Sequence, residues 1–418
     1  MEYVITALDN KGAQVEEQLR AGDENDAIQQ MHRKGYVILR LAAASVAGRT
    51  TEPSVVKSAG AAQSKSALPT LFAPRVPFQE VVALTRQLSV MIETAVPLDE
   101  ALAALAENTD DAYLREAFQS ICENVSQGRT LSQALGEFPR IFPKLYIDLV
   151  NTAEVSGDLD RTLSLAAEYL ETMLEMQRKV RGAMTYPAIL FLVAVGVIIF
   201  MLTYLLPQFR ELFTKMNASI PMETKILFAL SDFLVARWYV LLAGIVSGGV
   251  ALRWFASTRQ GGYQISNLLQ KIPILGDLLA KIAISRQIRS LGTLLESGVG
   301  LLVALSTAAP TAQNVLFEEA MMGAWHRVNE GTTLHEAMRE SGRFPSMVCQ
   351  MVAVGEKSGR VGNILLRMAA YYEREVDARL KTLSTVLEPL MIVFLGIVVG
   401  FLAVSIISPI YSLVSSVK

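Results

Sequence analysis

The chain has 418 residues, of which 51% are apolar and 19% are charged, and its formal net charge is −2. This length suits two or three domains, and a mean hydropathy of +0.35 indicates that some segments lie in lipid. The net charge gives no indication of the excess basic charge that is typical of nucleic-acid-binding proteins. Cys122 and Cys349 stand in unrelated contexts, so we expect two free thiols and no disulfide framework.

The N-terminal residues 1–41 differ from the rest of the chain. "YVITALDNKGAQVEEQLRA" alternates apolar and polar residues around a Lys11-Gly12 turn, and "YVILRL" follows a short helical stretch. This order predicts a small β-β-α-β unit. Residues 42–77 are rich in Ala, Ser, Thr and Pro without periodicity and are expected to form a flexible linker. Met1–Arg20 is charged and lacks an apolar core, so no signal peptide is expected.

The remainder of the chain is an internal duplication. "TRQLSVMIETAVPL", which begins at Thr85, matches "IRSLGTLLESGVGL", which begins at Ile288, at an offset of 203. "GRTLSQAL" and "GTTLHEAM" keep that offset, which then becomes 202 and stays so to Pro207 and Pro409. A single one-residue gap therefore aligns the two copies from their soluble helices into a membrane segment, as expected for a true repeat.

Each copy is predicted to be an antiparallel helical bundle, because its apolar residues recur every three or four positions. Breaks in the first helices are expected at Ala95–Pro97 and at Gly298. Thr130-x-x-Gln133 and Thr333-x-x-Glu336 are typical capping boxes, which predict that a new helix begins at the same place in both copies.

The next helix of each copy is bounded by proline and glycine. Pro143 and Pro345 suit its first turn, and Gly157 and Gly359 are expected to end it. A long, charged amphipathic helix is then predicted to run towards the membrane, over 159–181 in the first copy and 361–381 in the second.

Three stretches are long and apolar enough to span a membrane. They lie at 182–209, 233–255 and 389–413, and Trp238, Tyr239 and Trp254 of the second occupy interfacial positions. Gly244-x-x-x-Gly248 and Gly396-x-x-x-Gly400 would allow close helix packing, although small residues are common in membrane helices anyway.

The positive charges beside the third span predict the orientation. Arg374, Arg379 and Lys381 precede this span and only Lys418 follows it, so its N-terminal side and the chain's N-terminus are expected to be cytoplasmic. The expected segments are an α+β domain at 1–41, a linker at 42–77, a first cytoplasmic helical domain at 78–181, a transmembrane helix at 182–209, a periplasmic loop at 210–232, a transmembrane helix at 233–255, a second cytoplasmic helical domain at 256–388 and a transmembrane helix at 389–413.

Residues suited to covalent chemistry or metal binding do not cluster in the sequence. His32, His326 and His335 lack the companion ligands of a metal site, and no nucleotide or nucleophile motif is present. Glu154 and Glu356 each lie in a Glu-x-Ser-Gly turn without an obvious partner, which favours a role in the turn, in packing or in contact with a partner protein over acid–base catalysis. We expect no enzymatic activity, no cofactor and no metal-ligating residues, and the residues do not decide whether a metal ion binds between the two helical domains.

Other classes of membrane protein remain as alternatives. A transporter needs ionisable residues near the middle of its spans, and the first and third spans have none there. A receptor would need a larger external domain than residues 210–232 provide. A membrane transporter and a signalling scaffold are nevertheless kept as rivals.

The duplicated unit, with its Glu-x-Ser-Gly turns (Glu154, Ser156, Gly157 and Glu356, Ser358, Gly359), resembles the type II secretion system protein F and type IV pilus inner-membrane platform family. The most specific stretch is "KVRGAMTYPAILFLVAVGVIIFMLTYLLP", which contains Tyr186, Pro187 and Pro207. The second copy keeps Pro389 and Pro409, but it has Glu388 in place of Tyr186 and Gly300 in place of Pro97.

The resemblance implies a mainly α-helical, polytopic protein of the bacterial inner membrane that acts as a non-enzymatic platform. The partners it implies are a hexameric cytoplasmic secretion or pilus ATPase, pilin or pseudopilin subunits, other inner-membrane components of the machine, membrane lipid and further copies of the chain. The residues do not decide between type II secretion and type IV pilus assembly.

Overall fold

The computed structural model describes residues 2–8, 14–20, 37–44, 76–215 and 222–416. The chain divides into two compact units, Met1–Ala73 and Pro74–Lys418.

The first unit contains a three-stranded antiparallel sheet. Strands β1 (Glu2–Leu8), β2 (Gln14–Arg20) and β3 (Val37–Ala44) are ordered β2-β1-β3, with a register shift in the β1–β3 pair between Thr6 and Ala7. Strand β3 continues past the expected domain boundary at residue 41. The predicted helix, the Lys11-Gly12 turn and most of the predicted linker lie outside the described residues, so the α+β domain and the linker stay predictions.

The second unit begins with the first repeat, whose described elements are all helical. Its helices are α1 (Phe78–Glu93), α2 (Leu98–Glu107), α3 (Ala112–Ser126), α4 (Leu131–Gly136), α5 (Lys144–Ser156) and α6 (Leu159–Phe200). A π-helical turn, Met201–Leu205, then leads into α7 (Leu206–Lys215).

Helices α8 (Met222–Ser257) and α9 (Arg259–Gln270) lead into the second repeat. Its helices are α10 (Leu275–Glu296), α11 (Leu301–Ala308), a 3₁₀ turn (Ala309–Ala312), α12 (Val315–Asn329), α13 (Leu334–Glu340), α14 (Ser346–Ser358) and α15 (Val361–Ser416).

The helix boundaries follow the sequence repeat. Helices α3 and α12 both have 15 residues, and α5 and α14 both have 13. Thr130 and Thr333 directly precede α4 and α13, which confirms the predicted helix starts. Pro143 and Pro345 are the N-caps of α5 and α14, one position before the first helical residue and not in the first turn as predicted, and their extended ψ turns the chain into the helix.

The break after the first helix is confirmed in both repeats, and it uses a left-handed residue each time. Gly298 has φ 86°, and Ala95, at the equivalent position, has φ 61°. Glycine adopts this conformation freely, whereas a Cβ opposes it. The first repeat therefore holds its turn against local backbone preference.

One continuous hydrophobic core joins the two bundles. The Tyr169 hydroxyl and the Ser290 hydroxyl form a buried hydrogen bond of 3.1 Å between α6 and α10. Thr307 of α11 donates to the Asp148 carboxylate of α5 at 2.6 Å. The two predicted domains therefore pack as one body, because each buries part of the other's surface.

Among the described residues, three helical segments have the length and composition to cross a membrane; they lie in Leu159–Glu211, Val235–Ser257 and Val361–Phe401. Helix α8 breaks at Arg237, whose φ of −131° is non-helical, so the second span begins beside this break. The segment expected to be a loop at 210–232 is largely helical where it is described, since it contains most of α7 and the start of α8.

Candidate functional site

The Glu-x-Ser-Gly turn of the first repeat binds the start of a neighbouring helix. The Glu154 carboxylate accepts hydrogen bonds from the backbone N–H of Leu131 and, at 3.0 Å, from that of Ser132, the first two residues of α4. Ser132 also donates its hydroxyl to this carboxylate. Because the first N–H groups of a helix lack intrahelical acceptors and carry partial positive charge, Glu154 satisfies and neutralises them.

Glu356 makes the equivalent contacts in the second repeat. Its carboxylate accepts from the N–H of Leu334 at 2.7 Å and from that of His335 at 3.2 Å, at the start of α13. The His335 ring Nδ1 lies 2.5 Å from the same carboxylate, at the position of the Ser132 hydroxyl. Glu356 thus binds the start of α13 as Glu154 binds the start of α4.

These contacts correct the expectation that the two glutamates have no obvious partner. Each caps a short helix that begins more than twenty residues earlier in the chain, and so fastens α5 to α4 and α14 to α13. The predicted capping boxes are only partly present. Thr130 accepts from the Gln133 N–H at 3.3 Å, whereas Thr333 donates its hydroxyl to Glu336 at 2.8 Å. In the second repeat the Thr333 hydroxyl makes no cap hydrogen bond, and Glu356 instead accepts from the N–H groups at the start of α13.

The glycine of each turn reverses the chain into the long helix. Gly157 has φ 75° and Gly359 has φ 67°, and both are left-handed C-caps, as predicted. Ser156 donates to the Ala153 carbonyl at 3.3 Å, and Ser358 donates to the Val354 carbonyl at 2.9 Å. Both serines therefore bond within the turn and not across the molecule.

Substitution of the two turn glycines is expected to act through the backbone alone. A Cβ at Gly157 or Gly359 meets no atom within 4 Å. Gly157→Val and Gly359→Val should each cost about 2 kcal/mol or more, because a β-branched residue resists φ > 0. Gly157→Asn and Gly359→Asn should cost much less, since asparagine tolerates this conformation. Thermal unfolding of the detergent-solubilised chain measures the difference. Equal losses for valine and asparagine would contradict the backbone explanation.

The long helices connect these turns to the membrane. Helix α6 has 42 residues and α15 has 56, without a loop between the turn and the span. From Leu159 to the start of the predicted span, α6 is roughly 35 Å long at 1.5 Å per residue. Lys179 of α6 binds Asp377 of α15 at 2.8 Å, and Tyr186 donates to Glu388 at 3.2 Å. Tyr186 and Glu388 are equivalent in the repeat, so the two helices run parallel and nearly in register.

Each proline in the first span leaves a carbonyl that another helix satisfies. Pro187 lies inside α6 and has no N–H for the Ala183 carbonyl, which accepts from Ser384 of α15 at 3.2 Å. Pro207 follows the π turn and has no N–H for the Leu202 carbonyl, to which the buried Ser231 hydroxyl of α8 donates. The prolines therefore create bonding sites between helices. Pro389 and Pro409 lie inside α15.

Two ion pairs at equivalent positions were not predicted. Arg86 of α1 binds Glu171 of α6 through two hydrogen bonds of 2.7 and 2.5 Å. Arg289 of α10 binds Glu373 of α15 through two of 2.9 and 2.7 Å. The hydrogen bond to Glu171 raises the pKa of the Arg86 guanidinium. The sequence contains a sign of these pairs, because the arginine recurs at an offset of 203 and the glutamate at an offset of 202 in the second repeat.

No group of three or more His, Cys, Asp or Glu side chains suited to a metal occurs among the described residues. His335 contacts Glu356 only as part of the helix cap described above. Burial raises the pKa of the Cys349 thiol, so this buried cysteine is held as a neutral thiol.

The fold and the paired turns define a duplicated helical membrane protein in which each repeat feeds one span. The chain belongs to the family "Type II secretion system (T2SS), protein F", whose sequence profile matches residues 84–207 and 288–409. The two matches end at Pro207 and Pro409, and each contains one Glu-x-Ser-Gly turn.

Full-length similarity extends to proteins of both secretion and pilus machines. The chain is 35% identical to the "Type IV pilus assembly protein PilC" of Thermus thermophilus over 418 residues, which cover 100% of this chain and 99% of that one. It is 33% identical to a "Type II secretion system protein F" of Aeromonas hydrophila over 80% of this chain and 86% of that one. It is 30% identical to the protein of the same name in Xanthomonas campestris pv. campestris over 99% of each chain.

Proposed function

We propose that the chain is a non-enzymatic inner-membrane platform of a type IV pilus or type II secretion machine, with its N-terminus in the cytoplasm. It receives motion from a hexameric cytoplasmic ATPase and delivers it to pilin or pseudopilin subunits in the bilayer. Membership in the family supports a role in a machine of this kind. The names of the relatives that match over their full length include both type IV pilus assembly and type II secretion.

The observation that carries the proposal is the continuity of α6 and α15. Each begins at a glycine turn far from the membrane and enters its span without an intervening loop. Movement of the turn is therefore transmitted to the span by a hydrogen-bonded rod. The Glu154 and Glu356 caps stiffen the distal end, because they fasten each turn to its own bundle.

Site-specific photo-crosslinking in the host membrane tests this function together with the orientation. Val155, in the first distal turn, is 85% exposed, and Ile226, in the predicted periplasmic segment, is 61% exposed. A photoreactive residue at Val155 should capture the ATPase, and one at Ile226 should not. Affinity purification and mass spectrometry identify the captured partners, and pilin or pseudopilin subunits recovered with them distinguish the two machines.

Two outcomes would count against the proposal. Capture of the ATPase from position 226 and not from 155 would reverse the orientation. Reproducible capture of a transport or signalling complex from both positions would favour one of the rival functions.

A further inference from the structure

The two repeats of one chain pack through unlike faces. On the first repeat, α5 and α6 supply Asp148, Arg161 and Tyr169, and on the second, α10 and α11 supply Thr307, Glu296 and Ser290. The Arg161–Glu296 contact is 3.3 Å and the Tyr169–Ser290 contact is 3.1 Å. The contact is heterologous, because the α5–α6 face of one repeat meets the α10–α11 face of the other.

The first repeat carries its own version of the α10 face, and no described residue of the second unit covers it. Ser290 and Thr293 of α10 are 0% and 2% exposed. Val90 of α1, which is equivalent to Thr293, is 48% exposed. Gln87, which is equivalent to Ser290, is also exposed. With Ala83, these residues form an uncharged stripe along α1 at helical spacing, which we name the Val90 face.

The second repeat likewise leaves its version of the α5–α6 face open. Leu145 and Tyr169 are 3% and 7% exposed, whereas the equivalent Met347 and Tyr371 are 46% and 40% exposed. We name these two exposed residues the Tyr371 face. Methionine and tyrosine are both enriched at protein interfaces relative to the rest of a protein surface.

The rotation that relates the first repeat to the second can be repeated to position a second chain, and the spans of both chains then lie in one bilayer. Helices α6 and α15 run parallel, and the equivalent residues Tyr186 and Glu388 are in contact. This contact between equivalent residues of parallel helices is expected when a rotation about an axis along the helices relates the two repeats. The same rotation would place another chain's first repeat beside this chain's second repeat, with its spans in the same bilayer.

We propose that a second copy of this chain docks its Val90 face on the Tyr371 face of the first. Tyr371 then contacts Gln87 of the next copy as Tyr169 contacts Ser290 within the chain. Asn363 comes opposite Glu93, as Arg161 is opposite Glu296, and its amide is able to donate to that carboxylate. Because each copy retains one open face of each kind, the contact adds copies head to tail around the membrane normal.

Two-colour cysteine crosslinking in membranes tests this contact. One tagged copy carries Gln87→Cys and a differently tagged copy carries Tyr371→Cys, both in a Cys122→Ser, Cys349→Ala background whose insertion into the membrane and thermal unfolding match those of the unmodified chain. A short bifunctional thiol reagent should give a product that contains both tags. The intrachain pair Tyr169→Cys and Ser290→Cys is the calibration, because it has the equivalent geometry and must react with the same reagent.

The control copy carries Gln119→Cys on the exposed side of α3 and should give no product with Tyr371→Cys. Products that join two Gln87→Cys copies or two Tyr371→Cys copies would overturn the proposal in favour of a contact between identical faces. Absence of the mixed product, while the calibration pair reacts, would also overturn it. The inference rests on the proposed platform only for placing both copies in one membrane, and the crosslink does not require an active ATPase, so the two proposals can fail separately.

Discussion

Replacement of Arg289 by methionine should destabilise the second bundle far more than Arg86→Met destabilises the first. The side chains of Arg289 and Glu373 are 10% and 19% exposed, whereas those of Arg86 and Glu171 are 36% and 44% exposed. Loss of one partner from a largely buried pair costs about 3 kcal/mol, because the remaining carboxylate stays desolvated without a counter-charge. Loss of the exposed pair costs about 1 kcal/mol or less.

Trp325 offers a local reporter for this comparison, because it packs against the core from α12. The other two tryptophans, Trp238 and Trp254, lie in the second span and can be replaced by phenylalanine. Urea unfolding of the full chain in detergent, followed by Trp325 fluorescence, should then show a lower midpoint for Arg289→Met.

A second variant separates the charge from the packing. In Arg289→Met/Glu373→Met, neither charge is left buried, so much of the lost stability should return. If the double variant is as unstable as the sum of the two single variants, the uncompensated carboxylate is not the cause. The packing of the Arg289 side chain would then explain the effect.

The repeat in the sequence predicts most of the helical boundaries, and the physical reason is local. Glycines at 157, 298 and 359 adopt φ > 0 at little cost, and threonines at 130 and 333 precede helix starts. These boundaries can therefore be predicted from a few neighbouring residues. Pro143 and Pro345 lie at the N-caps and not in the predicted first turn, and the sequence does not separate the two positions because proline suits both.

The partners of the two Glu-x-Ser-Gly turns are not local in the sequence and could not be derived in the same way. Glu154 binds N–H groups 22 and 23 residues earlier, and only the folded bundle brings them together. The Ser384 and Ser231 hydroxyls bond carbonyls freed by prolines on another helix. A proline inside a span predicts that some donor is needed, but it does not identify the helix that supplies it.

Glu356→Ala should loosen the second distal turn and lower stability by about 2 kcal/mol. The substitution removes the acceptor of the Leu334 and His335 N–H groups at the start of α13, where charge-assisted bonds and capping each contribute on this scale. Glu154→Ala should act similarly on α4 in the first repeat. In Glu356→Gln the side chain still accepts one hydrogen bond, so the loss should be smaller.

Glu336→Ala is the matched control, because this glutamate lies in the first turn of the same helix and accepts a hydrogen bond from the exposed Thr333 hydroxyl. It removes a similar charge from the helix terminus and should cost well under about 1 kcal/mol. The Trp325 unfolding midpoint distinguishes the two variants. Equal midpoints would mean that charge near the helix terminus matters and that the connection between α14 and α13 does not. A selective loss for Glu356→Ala, together with impaired fibre assembly below the unfolding temperature, would show that the platform needs its distal turns held rigidly to their bundles.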